Sequence, residues 1–249
     1  MAAVDRIAYQ DLAAVYDWLV PETLLTPEGS AAAFEAQIAQ IEPGSRVLDC
    51  ACGTGTLAVG LAKRGFAVSA SDASPAMVER TRALANEHGT EIQTKVSRWG
   101  ELAKTWPTPF IAAFCVGNAL THAEDRRQAL TGIRSALTPG GLLVLTSRNW
   151  ERVRAEANAT ETTVERHGQT ARVEYRWEIP PAWDDPHHMD ITVALPESTH
   201  SERLTFWPFT HETLEADLRA TGFEPRDSTY ADAADRYLVT ATSASSRSR

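Results

Sequence analysis

The chain has 249 residues, 43% of them hydrophobic and 23% charged, which fits one soluble globular domain and excludes a low-complexity or disordered chain. With 24 Lys and Arg against 33 Asp and Glu the formal charge is −9, which argues against a nucleic-acid partner, because phosphate-backbone affinity comes mainly from Lys and Arg. The start, "MAAVDRIAYQ", lacks a basic region ahead of an apolar core, and no apolar run approaches the roughly 20 residues that span a bilayer, so neither export nor a membrane partner is expected.

Residues 4–20 space Ile7, Leu12, Val15 and Leu19 at helical intervals before Pro21, and "PEGSAAAFEAQIAQI" (27–41) fits a second helix. The pattern then alternates. Strands are expected at 46–51, 66–72, 91–97, 110–118 and 141–147, with helices at 56–65, 75–89 and 126–137 between them. Strands and helices in this rhythm imply right-handed βαβ crossovers and a largely parallel sheet covered on both faces. Cys50, Cys52 and Cys115 fall inside the apolar stretches and read as packed thiols of a cytoplasmic protein.

After residue 150 the rhythm breaks. "RVEYRWEI" (172–179), "MDITVAL" (189–195) and "ERLTFW" (202–207) alternate like strands of an antiparallel ribbon, with "PPAWDDPHH" as a loop. "DDPHHMD" (184–190) gathers acids and histidines, but it has no second ligand cluster at metal spacing and reads as a solvated loop, not a metal site. A helix over 210–223 has Thr210 as N-cap and Gly222 as its stop; a last strand covers 236–242, and 243–249 read as a disordered tail.

"VLDCACGTGTLA" (47–58) is a strand, a glycine turn and a helix start. Gly53 and Gly55 let the backbone turn sharply and let a ligand lie against it. The spacing matches a dinucleotide fingerprint, yet Asp49, at the end of the strand, would repel a pyrophosphate and suits a ligand with positive charge. Asp72 ends the next strand, where an acid can accept hydrogen bonds from both ribose hydroxyls. The plainer readings are a turn cap for Asp49 and a helix N-cap for Asp72.

"VLDCACGTG", "FAVSASDAS" and "LTPGGLLVL", in this order over about 100 residues, resemble the class I S-adenosylmethionine-dependent methyltransferases. The resemblance implies an α/β, Rossmann-like doubly wound sheet of seven strands, the last antiparallel, with an antiparallel ribbon on the substrate side. It implies S-adenosylmethionine as cofactor, with Gly53 and Gly55 facing the methionine part, Asp72 holding the ribose, and Asp49, Ala51 and Ala73 also in the cofactor site. The adenine wall would come from "VSRWG", with Ser97, Arg98 and Trp99. Trp99 offers a flat apolar face, or else merely a lid over the sheet edge. The corresponding parts are an N-terminal cover (1–42), a cofactor core (43–150), a ribbon (151–209) and a final helix and strand (210–242) of one domain.

"FCVGNALTHAED" (114–125), "GGLLVLTSRNW" (140–150) and "RLTFWPFT" (203–210) resemble, more narrowly, the glycine and glycine/sarcosine N-methyltransferases. By that resemblance Arg148 grips an amino acid's carboxylate, Asn118 assists it, and His122 contacts the methionine end of the cofactor. A guanidinium at the carboxyl end of a central strand points into the crevice where such sheets bind ligands, and its fork suits a carboxylate. Tyr9 and Tyr16 would close over cofactor and acceptor. The chain departs from the family pattern at Thr146 and Ser147, and at Phe206 and Trp207, which stand where relatives carry paired tyrosines. With Trp207 beside the acceptor, a bulkier or less polar substrate than glycine is implied.

No catalytic dyad is visible, and in-line transfer from an activated sulfonium requires none; positioning and exclusion of water are the protein's work. The expected activity is N-methylation of a small carboxylate-bearing amine by a monomer or small homo-oligomer, without a metal. The rivals are an O- or N-methyltransferase of secondary metabolism with Arg148 serving only an ion pair to Glu151 or Asp125, a nicotinamide-dependent reductase, and a non-catalytic cofactor-binding module. His122 as an ordinary helix-start residue also stays open.

Overall fold

The computed structural model describes residues 7–156, 158–166 and 168–244. Two short helices, α1 (Pro27–Ala32) and α2 (Glu35–Ile38), precede the sheet. Then β1 (Arg46–Asp49), α3 (Thr56–Lys63), β2 (Ala67–Asp72), α4 (Pro75–Glu87), β3 (Gln93–Val96), α5 (Leu102–Thr105), β4 (Phe110–Cys115), α6 (Arg126–Ser135) and β5 (Leu137–Arg148) follow in alternation. The helices begin where the sequence supplies caps: the hydroxyls of Thr26 and Ser74 accept from the third residue onward, each followed by a proline, and Asp125 accepts from Gln128 N.

The second half carries α7 (Trp150–Glu156), then β6 (Thr160–Arg166), β7 (Gln169–Glu178), β8 (His187–Ala194) and β9 (Thr199–Phe206), which form a four-stranded antiparallel ribbon. The chain returns through α8 (His211–Ala220), β10 (Phe223–Ser228) and β11 (Arg236–Ser243) to complete a seven-stranded sheet of order β10-β11-β5-β4-β1-β2-β3. β11 is antiparallel to both of its neighbours and every other pairing in that sheet is parallel. The strand order reverses between β1 and β4, and there a crevice opens at the carboxyl ends of the strands.

Val47, Leu48, Ala112, Ala113 and Phe114 are fully buried because helices cover both faces of the sheet. A separate apolar cluster joins the inner face of the ribbon (Val173, Met189, Ile191, Leu204, Phe206) to Trp150 and to Leu12 and Val15 of the N-terminal segment. That segment lies between ribbon and sheet.

Several expectations need correction. The expected helix over 4–20 is a set of turns followed by a 3-10 stretch, Ala13–Leu19; residues 4–6 lie outside the described residues. The N–H groups of Asp11 and Leu12 donate instead to Glu202 Oε2, at 2.9 and 3.1 Å. The helix over 27–41 breaks at Phe34 (φ −119°), whose ring turns inward against Phe114. The ribbon has four strands because "TETTVER", too polar to read as a strand, pairs along an exposed edge. β10 was hidden by Pro225 and its charges; it is an edge strand with an irregularity at Pro225/Asp227, where a proline is tolerated. His187 and His188 belong to β8, not to a solvated loop. His187 is buried, donates from Nδ1 to Asp185 O (3.1 Å) and accepts at Nε2 from Arg154 (2.6 Å). Of the expected tail, Ser243 ends β11 and Ala244 N donates to Gly222 O (2.8 Å), while 245–249 lie outside the described residues.

Candidate active site

The crevice encloses about 1190 Å³ and is bounded by the ends of β1, β2 and β4, the N-terminal segment, and the ribbon around Thr205 and Trp207. At its floor Gly53 has φ 52°, a left-handed conformation, and a Cβ there would meet nothing within 4 Å, so its open side faces the crevice. Gly55 (φ 91°) differs: a Cβ would lie 2.8 Å from Thr81 Cα of α4, and the residue is absent from the crevice wall. The space beside Gly55 is taken by α4, whereas that beside Gly53 is open.

Two acids sit beside this turn. Asp49 is 1% exposed, and burial, with the charge of Asp72 adding to it, pushes its carboxyl up to about 7 against the opposing N–H of Ala51. Asp72 Oδ2 accepts from Gly53 N (3.0 Å) and Oδ1 from Ser74 N (2.9 Å), and burial raises its pKa too. The helix cap of α4 is Ser74, so Asp72 is not merely an N-cap. Ala51 and Ala73 line the same wall. Among the described residues no Lys or Arg lies against this acid pair, which suits a cationic ligand that brings hydroxyl donors.

On the far side Trp99 Nε1 donates to Cys50 O (2.9 Å), which stands the indole against the crevice beside Arg98 and Ser97. Ser97 Oγ shares a hydrogen bond with Thr105 Oγ1 (2.9 Å). All three cysteines are buried and free.

His122 closes the crevice from above. Its Nδ1 donates to Thr205 O (2.9 Å), its ring lies 4.7 Å from that of Phe206, and burial lowers its pKa to about 4. It is neutral at physiological pH, with Nε2 left as an acceptor, and its bond to the ribbon makes it more than an ordinary helix-start residue.

Off the main crevice opens a cavity of about 60 Å³ lined by Tyr9, Tyr16, Asn118, Arg148, Tyr175, Phe206 and Arg236, among others. Asn118, held at φ 69°, is spent on structure: Oδ1 accepts from Arg148 N (2.9 Å) and Nδ2 donates to Thr121 Oγ1 (2.9 Å). It locks the end of β5 in place and so sets where the Arg148 side chain starts. Among the described residues the Arg148 guanidinium has no ion pair. The expected partners are engaged elsewhere, Glu151 with His211 N (3.0 Å) and Asp125 with Gln128 N (2.8 Å).

Phe206 packs between His122 and Trp150, while Trp207 lines the larger crevice. Tyr9 and Tyr16 meet edge to face at 5.2 Å and touch both cavities. Tyr175 joins Tyr9 and Tyr16 on the wall of the smaller cavity. Tyr175 and Arg236 were not singled out in the sequence. The signal was present for Arg236, since an antiparallel last strand must begin at the crevice and "RYLVTAT" begins on an arginine.

Known proteins resemble this chain in sequence and in fold. Residues 47–141 match the family model described as a methyltransferase domain. The chain is 28% identical, over 77% of its own length and 71% of the relative's, to a glycine/sarcosine N-methyltransferase of Aphanothece halophytica. It is 36% identical to the glycine N-methyltransferase of Oryctolagus cuniculus, where the match covers 43% of this chain and 42% of that one. In fold it is similar to the CcbJ methyltransferase from Streptomyces caelestis (TM-score 0.79, 19% identity, 96% of this chain and 99% of that one).

Proposed function

We propose that the chain is a class I S-adenosylmethionine-dependent methyltransferase that methylates the amine nitrogen of a small acceptor whose carboxylate is held by Arg148, a reading supported by the methyltransferase-domain match over residues 47–141. When bound, the cofactor supplies a methyl group already activated on a sulfonium. The chain's own residues have three tasks. Asp49 and Asp72 offer negative charge and acceptor oxygens to the cationic methionine end and the ribose, with Gly53 leaving room and Ala51 and Ala73 completing the wall. Arg98 and Trp99 would flank the adenine. His122, neutral and fixed to the ribbon, adds no positive charge beside a sulfonium.

The observation that carries the acceptor assignment is the Arg148 guanidinium, without an acidic partner among the described residues, in a cavity opening beside the crevice. A planar fork in that position pairs with a carboxylate, and Asn118 sets its position through the backbone. The N-methylation named for the Aphanothece and Oryctolagus relatives supports the same reading. Arg148→Gln is expected to lower kcat/KM for amino-acid acceptors by about 100-fold, in the range of truncating one partner of a desolvated charge pair, while the affinity for S-adenosylhomocysteine stays unchanged. Turnover indifferent to both the substitution and the acceptor carboxylate would overturn the assignment.

A second reading is an acceptor held without its carboxylate, favoured by the size of the crevice and by Trp207 on its wall. The same acceptor panel decides it, with neutral amines and phenols then outpacing amino acids.

A further inference from the structure

Holding one carboxylate uses one guanidinium, and the cavity contains two. Arg148 ends β5, Arg236 opens β11, and the antiparallel register sets them directly opposite one another. Residues paired in this way have Cα atoms roughly 4.5–5.5 Å apart. Both side chains line the cavity with Tyr9, Tyr16 and Tyr175, and Arg236 also lines the main crevice, at the mouth between the two.

No carboxylate among the described residues neutralises the pair. Among the described residues neither guanidinium has a hydrogen bond or ion pair, and the nearby acids are committed elsewhere. Asp235 pairs with Arg152 (3.2 Å), Asp17 with Arg80 (2.7 Å), and Glu202 receives the N–H groups of Asp11 and Leu12. Like charges directly opposite on neighbouring strands weaken a sheet. Arg236 is partly open to solvent, and loss of hydration around it together with the charge of Arg148 holds its guanidinium below its ordinary pKa. One carboxylate would leave a positive charge over; a dianion would not.

We infer that Arg148 and Arg236 together form an acceptor subsite for a group carrying two negative charges, so that the acceptor is an amine bearing either two carboxylates or a phosphate. This rests on the amine-methylation reading above and extends it to substrate class. Arg236 is then a specificity-determining residue, selecting dianions over simple amino acids such as glycine. The cavity volume equals that of about four to six water-sized groups, room for one phosphate or for a carboxylate with a second at the mouth. Tyr9, Tyr16 and Tyr175 offer hydroxyl donors around it, and burial raises the pKa of each, so all three stay protonated.

The test is calorimetric titration of the protein saturated with S-adenosylhomocysteine, using acetate, malonate and inorganic phosphate as probes. At least tenfold tighter binding of malonate or phosphate than of acetate is expected, and the preferred dianion tells dicarboxylate from phosphate. Arg236→Gln should bring the dianion down to the level of acetate while leaving acetate unchanged; Arg148→Gln should weaken all three. Arg236→Lys, which keeps the charge, should retain part of the preference. Equal binding of acetate and both dianions by the unsubstituted protein overturns the inference, whatever the variants do. So does a dianion affinity unmoved in a folded Arg236→Gln variant. Selective dianion binding without methylation of any amine would overturn the acceptor reading alone.

Discussion

Asp49 shows how a single residue couples the site to pH. Its carboxyl ordinarily titrates near 4, and burial brings it to about 7 in the folded protein. Only the ionised form attracts the methionine ammonium of the cofactor. The affinity for S-adenosylmethionine should therefore climb between pH 5.5 and 7.5, by up to about tenfold per pH unit, and flatten in Asp49→Asn; titration calorimetry across that range reads it. The stability linkage has the opposite sense to a salt-bridged acid. Here the folded state binds the proton more tightly than the unfolded chain, so stability falls as pH rises from about 4 to about 7. Asp49→Asn should raise Tm at pH 8 and leave it unmoved at pH 4. The sequence placed this acid correctly at the strand end, but it could not separate Gly53 from Gly55, because only the packing of α4 shows that Thr81 fills the space beside Gly55.

At the level of elements, the parallel half of the sheet was legible because buried strands and capped helices leave strong local patterns. The missed strands share a physical cause. β6 and β10 are edge strands held by pairing on one side, so their sequences need no apolar face. A different tertiary demand is seen at Gly132 of α6, where a Cβ would lie 2.1 Å from Trp99 O. Gly132→Ala must push the helix off the loop that carries Arg98 and Trp99. Overpacking of this kind costs about 1–3 kcal/mol. The expected outcome is a lower Tm and weaker S-adenosylhomocysteine binding, with the anion titrations at Arg148 and Arg236 unchanged.

Across the whole molecule, the N-terminal segment is fastened to both the core and the ribbon. Arg80 of α4 donates to Ala13 O and pairs with Asp17, and Glu202 of β9 caps Asp11 and Leu12. Core and ribbon thus meet through a strip that also bears Tyr9 and Tyr16. Glu202→Ala should release that strip, costing about 1.5–3 kcal/mol for hydrogen bonds to a charged group. Hydrogen exchange should quicken over residues 9–19 while β1, β4 and β5 keep their protection. None of this was readable in one dimension, since Glu202 alternates with its neighbours like any strand residue and its partners lie at the other end of the chain.

The reversed direction of β11 has a consequence for assembly during synthesis. The cofactor floor, from Asp49 to Trp99, comes from neighbouring stretches that leave the ribosome together, and each βαβ unit can settle as it emerges. Arg148 follows, still without the residue opposite it. Arg236 reaches the cavity only when nearly the whole described chain is available, because it starts the strand laid down last beside β5. A growing chain therefore acquires its cofactor floor first and its paired cationic wall near the end.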